Sequence, residues 1–209
     1  MKGVLKSRGG FTLIELAIVL IIIGLILGAV LKGRDLIESA KIKKVYTNFV
    51  EGWILAVENY QDRTGQLLGD GTANGGTADN PDGVFDNINL AATTTVEDKL
   101  KAVGLEPPTT NTNNPGSYFI NAKYTRSTMT AWLYNLHSYI DNRNYNAIYI
   151  TGMPTDVAIA LDTIIDGSAN PSTGLFRRYH DDYTGADGTH NTWPNASTTA
   201  TVNVMYIYK

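Results

Sequence analysis

The sequence predicts an α+β protein in which one long N-terminal helix, apolar in its first half and amphipathic in its second, packs on an antiparallel β-sheet head. Three observations predict it. Residues 11–31 read FTLIELAIVLIIIGLILGAVL, an apolar run with a single charge at Glu15. From Ile42 to Tyr60 apolar residues recur at spacings of three and four, the helical period. Beyond Ser117, short runs rich in aromatic and β-branched residues alternate with polar turns, as strands do.

The apolar run comes first. Its 21 residues, at ~1.5 Å rise each, make a helix of about 31 Å, long enough to cross the hydrocarbon core of a bilayer. The flank before it, MKGVLKSRGG, carries Lys2, Lys6 and Arg8, and basic flanks stay on the cytoplasmic side. A secretory signal peptide also starts basic, but its shorter apolar core is followed by small residues at the cleavage site. Here the small pair, Gly9-Gly10, precedes the apolar run.

That arrangement, RGG followed by FTLIELAIVLIIIGLILGAVL, resembles the class III signal of type IV pilins and of the pseudopilins of type II secretion systems. The resemblance implies cleavage between Gly10 and Phe11 by a prepilin peptidase, methylation of the new Phe11 amine, and retention of the apolar helix in the mature protein. It implies a division into a leader at 1–10, a transmembrane and assembly helix at 11–65, and a periplasmic or extracellular α+β head at 66–209. The partners it implies are further copies of the chain in a helical filament, the peptidase, the assembly machinery and, before assembly, the inner membrane. Many such pilins carry a proline where Lys32 stands, and many close their C-terminal region with a disulfide; this chain has no cysteine.

An ionised carboxylate in hydrocarbon costs several kcal/mol unless it is paired or reaches the interface, so Glu15 marks a functional position. Two readings stand. Glu15 lies about 6 Å along the helix from Phe11 and can reach the cytoplasmic headgroups; the resemblance implies instead that it pairs with the Phe11 amine of a neighbouring subunit. Gly24 and Gly28 share one helix face, where they either let another helix approach closely or are ordinary membrane-helix glycines. With no proline at position 32, they are also the points at which the helix softens.

After Leu31 nothing breaks the helix until Gly65, its expected stop, so one helix is expected from about Phe11 to Arg63. Residues 65–87 are dense in Gly, Asn and Asp and read as a loop. Asp70, Asp79, Asp82 and Asp86 offer oxygen ligands of the kind calcium takes, but Pro81 breaks an EF-hand spacing and the same residues serve ordinary turns. A second calcium candidate is Asp181, Asp182 and Asp187 within DDYTGADG; His180 and His190 flank it, and a solvated turn is the competing reading.

A short helix is expected at Thr95 to Val103, capped by Thr94 or Thr95 and ended by Gly104. Strands are expected at Ser117 to Ala122, Thr128 to Leu136 and Asn146 to Thr151. Pro154-Thr155-Asp156 opens a further helix with Val157, Ala160, Leu161 and Ile164 on one face and Gly167 at its end. Its stretch ALDTIIDGSANPSTG resembles an ALDxxIDDGxxxxG pattern of some prepilin-like heads, with Gly167 in place of the second acid. Gly174 to Tyr179 and Ala200 to Tyr208 supply the last strands, the second of them closing the sheet.

Charge narrows the function classes. The head holds eight basic and fourteen acidic side chains, a net charge of −6, and so matches nucleic acid poorly. No Walker loop, dinucleotide glycine pattern, GxSxG elbow or HExxH motif occurs. The expectation is a structural filament subunit with no catalytic or cofactor site. The alternatives are a pseudopilin or minor pilin of a secretion or DNA-uptake machine and, in another class, a membrane-anchored periplasmic enzyme or binding protein.

Overall fold

The structure is a computed structural model and describes residues 10–138, 141–179 and 192–208. By internal contact the chain divides within its long helix, into residues up to Ala40 and a unit from Lys41 onward.

The helix runs from Leu13 to Thr64. It comprises α1 (Leu13–Val45), a π-helical turn (Tyr46–Val50) and α2 (Glu51–Thr64), and it stops at Gly65, which adopts the left-handed conformation with φ 70°. The expected start at Phe11 moves to Leu13 because Thr12 serves as the cap. The π turn is the larger departure: the Glu51 N–H donates to the Tyr46 carbonyl, five residues back. Its cause lies in the spacing. Val45, Phe49, Trp53 and Val57, all fully buried, follow one another in steps of four. An α-helix turns ~100° per residue, so each such step overshoots by ~40° and three overshoot by ~120°. One extra residue in a turn takes back ~100°, and all four side chains then face the head's core.

Among the described residues six strands form one antiparallel sheet in the order β1-β3-β4-β6-β5, with β2 also pairing β3. They are β1 (Ile88–Asn89), β2 (Ser117–Asn121), β3 (Arg126–Ser138), β4 (Arg143–Pro154), β5 (Phe176–Tyr179) and β6 (Thr201–Ile207). Strand β6 does not close the sheet; it lies between β4 and β5, and β5 forms that edge. The pair β1 was not expected, since two residues carry no periodicity; it continues β3's pairing beyond the end of β2, with Ile88 opposite Leu133.

Period-two alternation sorts the strand residues into two layers. Met129, Ala131, Leu133, Ile148, Ile150, Val202 and Val204 share one buried cluster with Phe49, Trp53 and Val57 of the helix. The Trp53 indole N–H adds a hydrogen bond to the Pro115 carbonyl at 2.9 Å, fixing the helix to the approach to β2. On the opposite face Leu136, Ala147, Tyr149 and Met205 form a second cluster with Trp132, Tyr134 and Tyr179. Edge-on ring contacts run Trp132 to Tyr134 to Tyr149 to Tyr179.

Helix α3 (Thr95–Ala102) has its N-cap at Thr94, one of the expected pair, but Thr94 makes no side-chain cap hydrogen bond; Thr93 Oγ1 instead accepts the Thr95 N–H at 3.1 Å. Helix α4 (Thr155–Asp166) ends at the left-handed Gly167 as expected, but its buried face is Thr155, Val157, Ala158, Leu161 and Asp162. Ile164 is exposed and Ala160 half-buried, because the face that meets the sheet includes an acid that periodicity of apolar residues could not reveal.

Candidate functional site

The first turn of α1 joins sequence chemistry to geometry. Thr12 stands at the N-cap and Glu15 three residues on. Glu15 Oε2 accepts the Thr12 backbone N–H at 2.8 Å and its hydroxyl at 2.9 Å, while the Glu15 N–H donates to Thr12 Oγ1 at 3.3 Å. This reciprocal pair is a capping box, which satisfies amides that begin a helix and have no partner within it. The signal was present as Thr-Leu-Ile-Glu before an apolar run, a motif that the reading of Glu15 as a lone membrane acid passed over. The box engages Oε2 with Thr12.

Gly10 and Phe11 precede the box, both exposed, with Phe11 at 84%. Of the expected leader, residues 1–10, only Gly10 lies among the described residues. From Leu13 to Ile37 the large apolar side chains are exposed, Leu13 at 89% and Leu25 at 70%. A side chain added at Gly24 or Gly28 would meet nothing within 4 Å in the single chain. Their face is open to lipid or to another helix. The helix is long and apolar enough to cross a membrane.

The acids proposed for calcium divide. Asp86 Oδ2 accepts the N–H groups of Gly71, Thr77 and Ala78 at 2.9, 2.8 and 2.8 Å. Asp70 accepts from Asp82 and Gly83 at 3.0 and 2.8 Å, and Asp82 Oδ1 from Val84 at 3.0 Å. These carboxylates organise the loop by receiving its amides. Among the described residues no three or more His, Cys, Asp or Glu side chains come together as a metal site, so Asp70, Asp79, Asp82 and Asp86 are not gathered into a ligand set. Asp181, Asp182 and Asp187 lie outside the described residues.

The ALDTIIDGSANPSTG stretch acquires a structural meaning. Asp166 holds the start of β5, its two oxygens accepting the Leu175 and Phe176 N–H groups at 2.9 and 2.8 Å. Gly174 lies against that carboxylate so closely that a side chain there would collide with it. One turn earlier Asp162 is fully buried, accepting the Trp193 indole N–H at 2.9 Å through Oδ2. Burial pushes the Asp162 carboxyl up to about 6; the indole hydrogen bond pulls it down and the neighbouring Asp166 charge pushes it up again.

The fold and the site together define a class: a chain with an exposed apolar N-terminal helix and an antiparallel sheet head, a pilin-like α+β architecture. Residues 5–31 match the family model described as the prokaryotic N-terminal methylation motif. That motif is the signature of type IV pilins and pseudopilins. No curated protein and no solved structure matches the chain.

Proposed function

We propose that the chain is the precursor of a structural subunit of a type IV pilus-like filament, anchored in the inner membrane with its head outward until assembly. The observation that carries the reading is the methylation motif at 5–31, laid over a helix whose large apolar side chains are exposed among the described residues. Lipid covers them before assembly, and the helices of other copies cover them afterwards. The lack of cysteine and of a proline at Lys32 favours a second reading within the same class, a pseudopilin or minor pilin. Recovery in filaments sheared from the cell surface separates the two.

Co-expression with a prepilin peptidase is expected to remove residues 1–10 and add one methyl group at Phe11, read by intact mass. An unprocessed leader would sink the filament reading and favour a permanently anchored periplasmic protein. Glu15 is tested by two substitutions. Glu15→Gln keeps the capping box, since an amide oxygen accepts the same hydrogen bonds, but removes the charge; Glu15→Val removes both. Pairing with the Phe11 amine of a neighbour requires charge, so both variants are expected to insert in the membrane and fail to enter filaments. Normal incorporation of Glu15→Gln, in cells without the parent subunit, would reassign Glu15 to helix capping alone.

A further inference from the structure

A sheet edge presents unpaired N–H and C=O groups to which another chain can add a strand. In this head most outward groups of β2 and the outward N–H groups of Phe176 and Arg178 on β5 are bonded within the chain, and on β2 the partners are largely side chains. Strand β2 turns the backbone groups of Ser117, Phe119 and Asn121 away from β3, since the alternate residue Gly116 accepts the Ala131 N–H. All three outward carbonyls are engaged. Thr112 Oγ1 donates to Ser117 O at 2.9 Å, Asn111 Nδ2 to Phe119 O at 2.6 Å, and Lys41 Nζ to Asn121 O at 3.4 Å. Two outward N–H groups are engaged as well: Ser117 donates to Asn114 O at 3.0 Å and Phe119 to Asn111 Oδ1 at 2.9 Å. Asn111 therefore meets Phe119 as a strand residue would, with one acceptor and one donor, but offers no further edge beyond it. On β5 the outward N–H groups of Phe176 and Arg178 go to Asp166 Oδ2 and the Pro171 carbonyl at 2.8 and 2.9 Å.

We propose that Asn111 is an edge plug, which keeps β2 of one copy from pairing antiparallel with β2 of a second copy. The need follows from the fold. Any assembly of this chain through its apolar helices brings many heads to high local concentration, where an open edge bearing the 43%-exposed Phe119 would pair with its equal. Such pairing is isologous about Phe119, and each copy's Phe119 would exchange both backbone hydrogen bonds with the other's.

The chain has no cysteine, so a cysteine placed at Phe119 forms disulfides only between copies. In an antiparallel pair centred there the two Cα atoms stand about 5.5 Å apart, within the range a disulfide spans. The full-length chain in detergent micelles is oxidised mildly as Phe119→Cys alone and with Asn111→Ala or Asn111→Ser. Serine suits the loop but is too short to bridge both backbone groups, and so serves if alanine disturbs folding. Slow amide exchange at Ile150 and Val204, in the middle of the sheet, certifies the fold of each variant. The expected result is at least a tenfold increase in disulfide dimer when Asn111 is replaced in a folded variant. Equal cross-linking with and without Asn111 overturns the proposal, as does a replaced variant that remains monomeric under oxidation.

Discussion

The two halves of the long helix share a backbone and differ in what covers them. Between Val45 and Tyr60 the side chains facing the sheet are buried by residues of the same chain; between Leu13 and Ile37 the large apolar side chains are exposed. The second half thus owes its environment to sequence-distant parts of its own head, whereas the first finds no such cover among the described residues. Stability of the head and, on the function proposed above, competence to assemble are consequently separable properties, each addressed by substitutions in its own half.

The sharpest contrast pairs Trp53→Ala with Leu25→Ala. Trp53 is fully buried, so its truncation is expected to cost about 3–5 kcal/mol and to leave the Pro115 carbonyl without its donor. Leu25→Ala should leave head unfolding unchanged, read by thermal or denaturant melting of the full chain in detergent. A comparable loss from Leu25→Ala would break the separation of the halves. Next in size is Asp86→Ala, which deprives the Gly71, Thr77 and Ala78 amides of their acceptor and is expected to cost on the order of 2–3 kcal/mol. Faster exchange of those three amides, with the apolar helix unaffected, is its signature.

Asp162→Asn is expected to act in the opposite direction. The carboxyl titrates at 3.8 when unperturbed and at about 6 in the fold, where burial is the main cause. The folded state therefore holds this proton more tightly than the unfolded state, and stability from this group declines as pH rises from about 4 through about 6. At neutral pH the fold carries a buried carboxylate, which asparagine replaces with a neutral group of the same shape. The variant should gain roughly 2 kcal/mol at pH 7 and lose the slope between pH 4 and 6. A parent protein whose melting midpoint is flat over that range would contradict the assignment.

The smallest effect is expected at Asp141, whose Oδ2 lies 3.0 Å from Arg177 Nη1. Burial pushes its carboxyl up, but hydrogen bonds led by Tyr145, with the Arg177 charge, outweigh it and hold the group down at about 2. Its contribution is present above pH 4 and is lost as pH falls towards 2, the reverse of Asp162. Both partners are partly exposed, so Arg177→Ala should cost less than about 1 kcal/mol at neutral pH. Melts at pH 2.5 and pH 6 that give the variant the same deficit would remove the pair from the account of acid sensitivity.

Much of this was legible in the sequence because local chemistry and long-range packing agreed. Gly65 and Gly167 end their helices where left-handed backbone was expected; β2, β5 and β6 fall within the aromatic and β-branched runs, and β3 and β4 contain theirs but extend beyond them at both ends. What escaped reading depends on residues far apart in sequence. Strand β1 exists only because β3 outlasts β2, and β6 enters between β4 and β5 with no sign in its own residues. The second aromatic face did leave a sign: Ala131-Trp132-Leu133-Tyr134 and Ala147-Ile148-Tyr149-Ile150 are apolar at both parities, the mark of a strand covered on both sides. At the N-terminus the difficulty was different. Thr12 and Glu15 spelled a capping box openly, but the surrounding hydrocarbon made charge the dominant question.

The π turn at Tyr46–Val50 has a consequence for descent as well as for packing. A π turn equals one residue inserted into an α-helix, so a relative with a regular helix would be one residue shorter between Val45 and Trp53. Removing one of the outward residues of that turn, such as Thr47 or Asn48, would therefore convert it to an α turn and leave Ile42 and Val45 in phase with Trp53 and Val57. Inserting a further residue would instead rotate one pair by ~100° relative to the other and take it out of the core. Along this stretch of helix the head thus tolerates the loss of one residue far better than the gain of one.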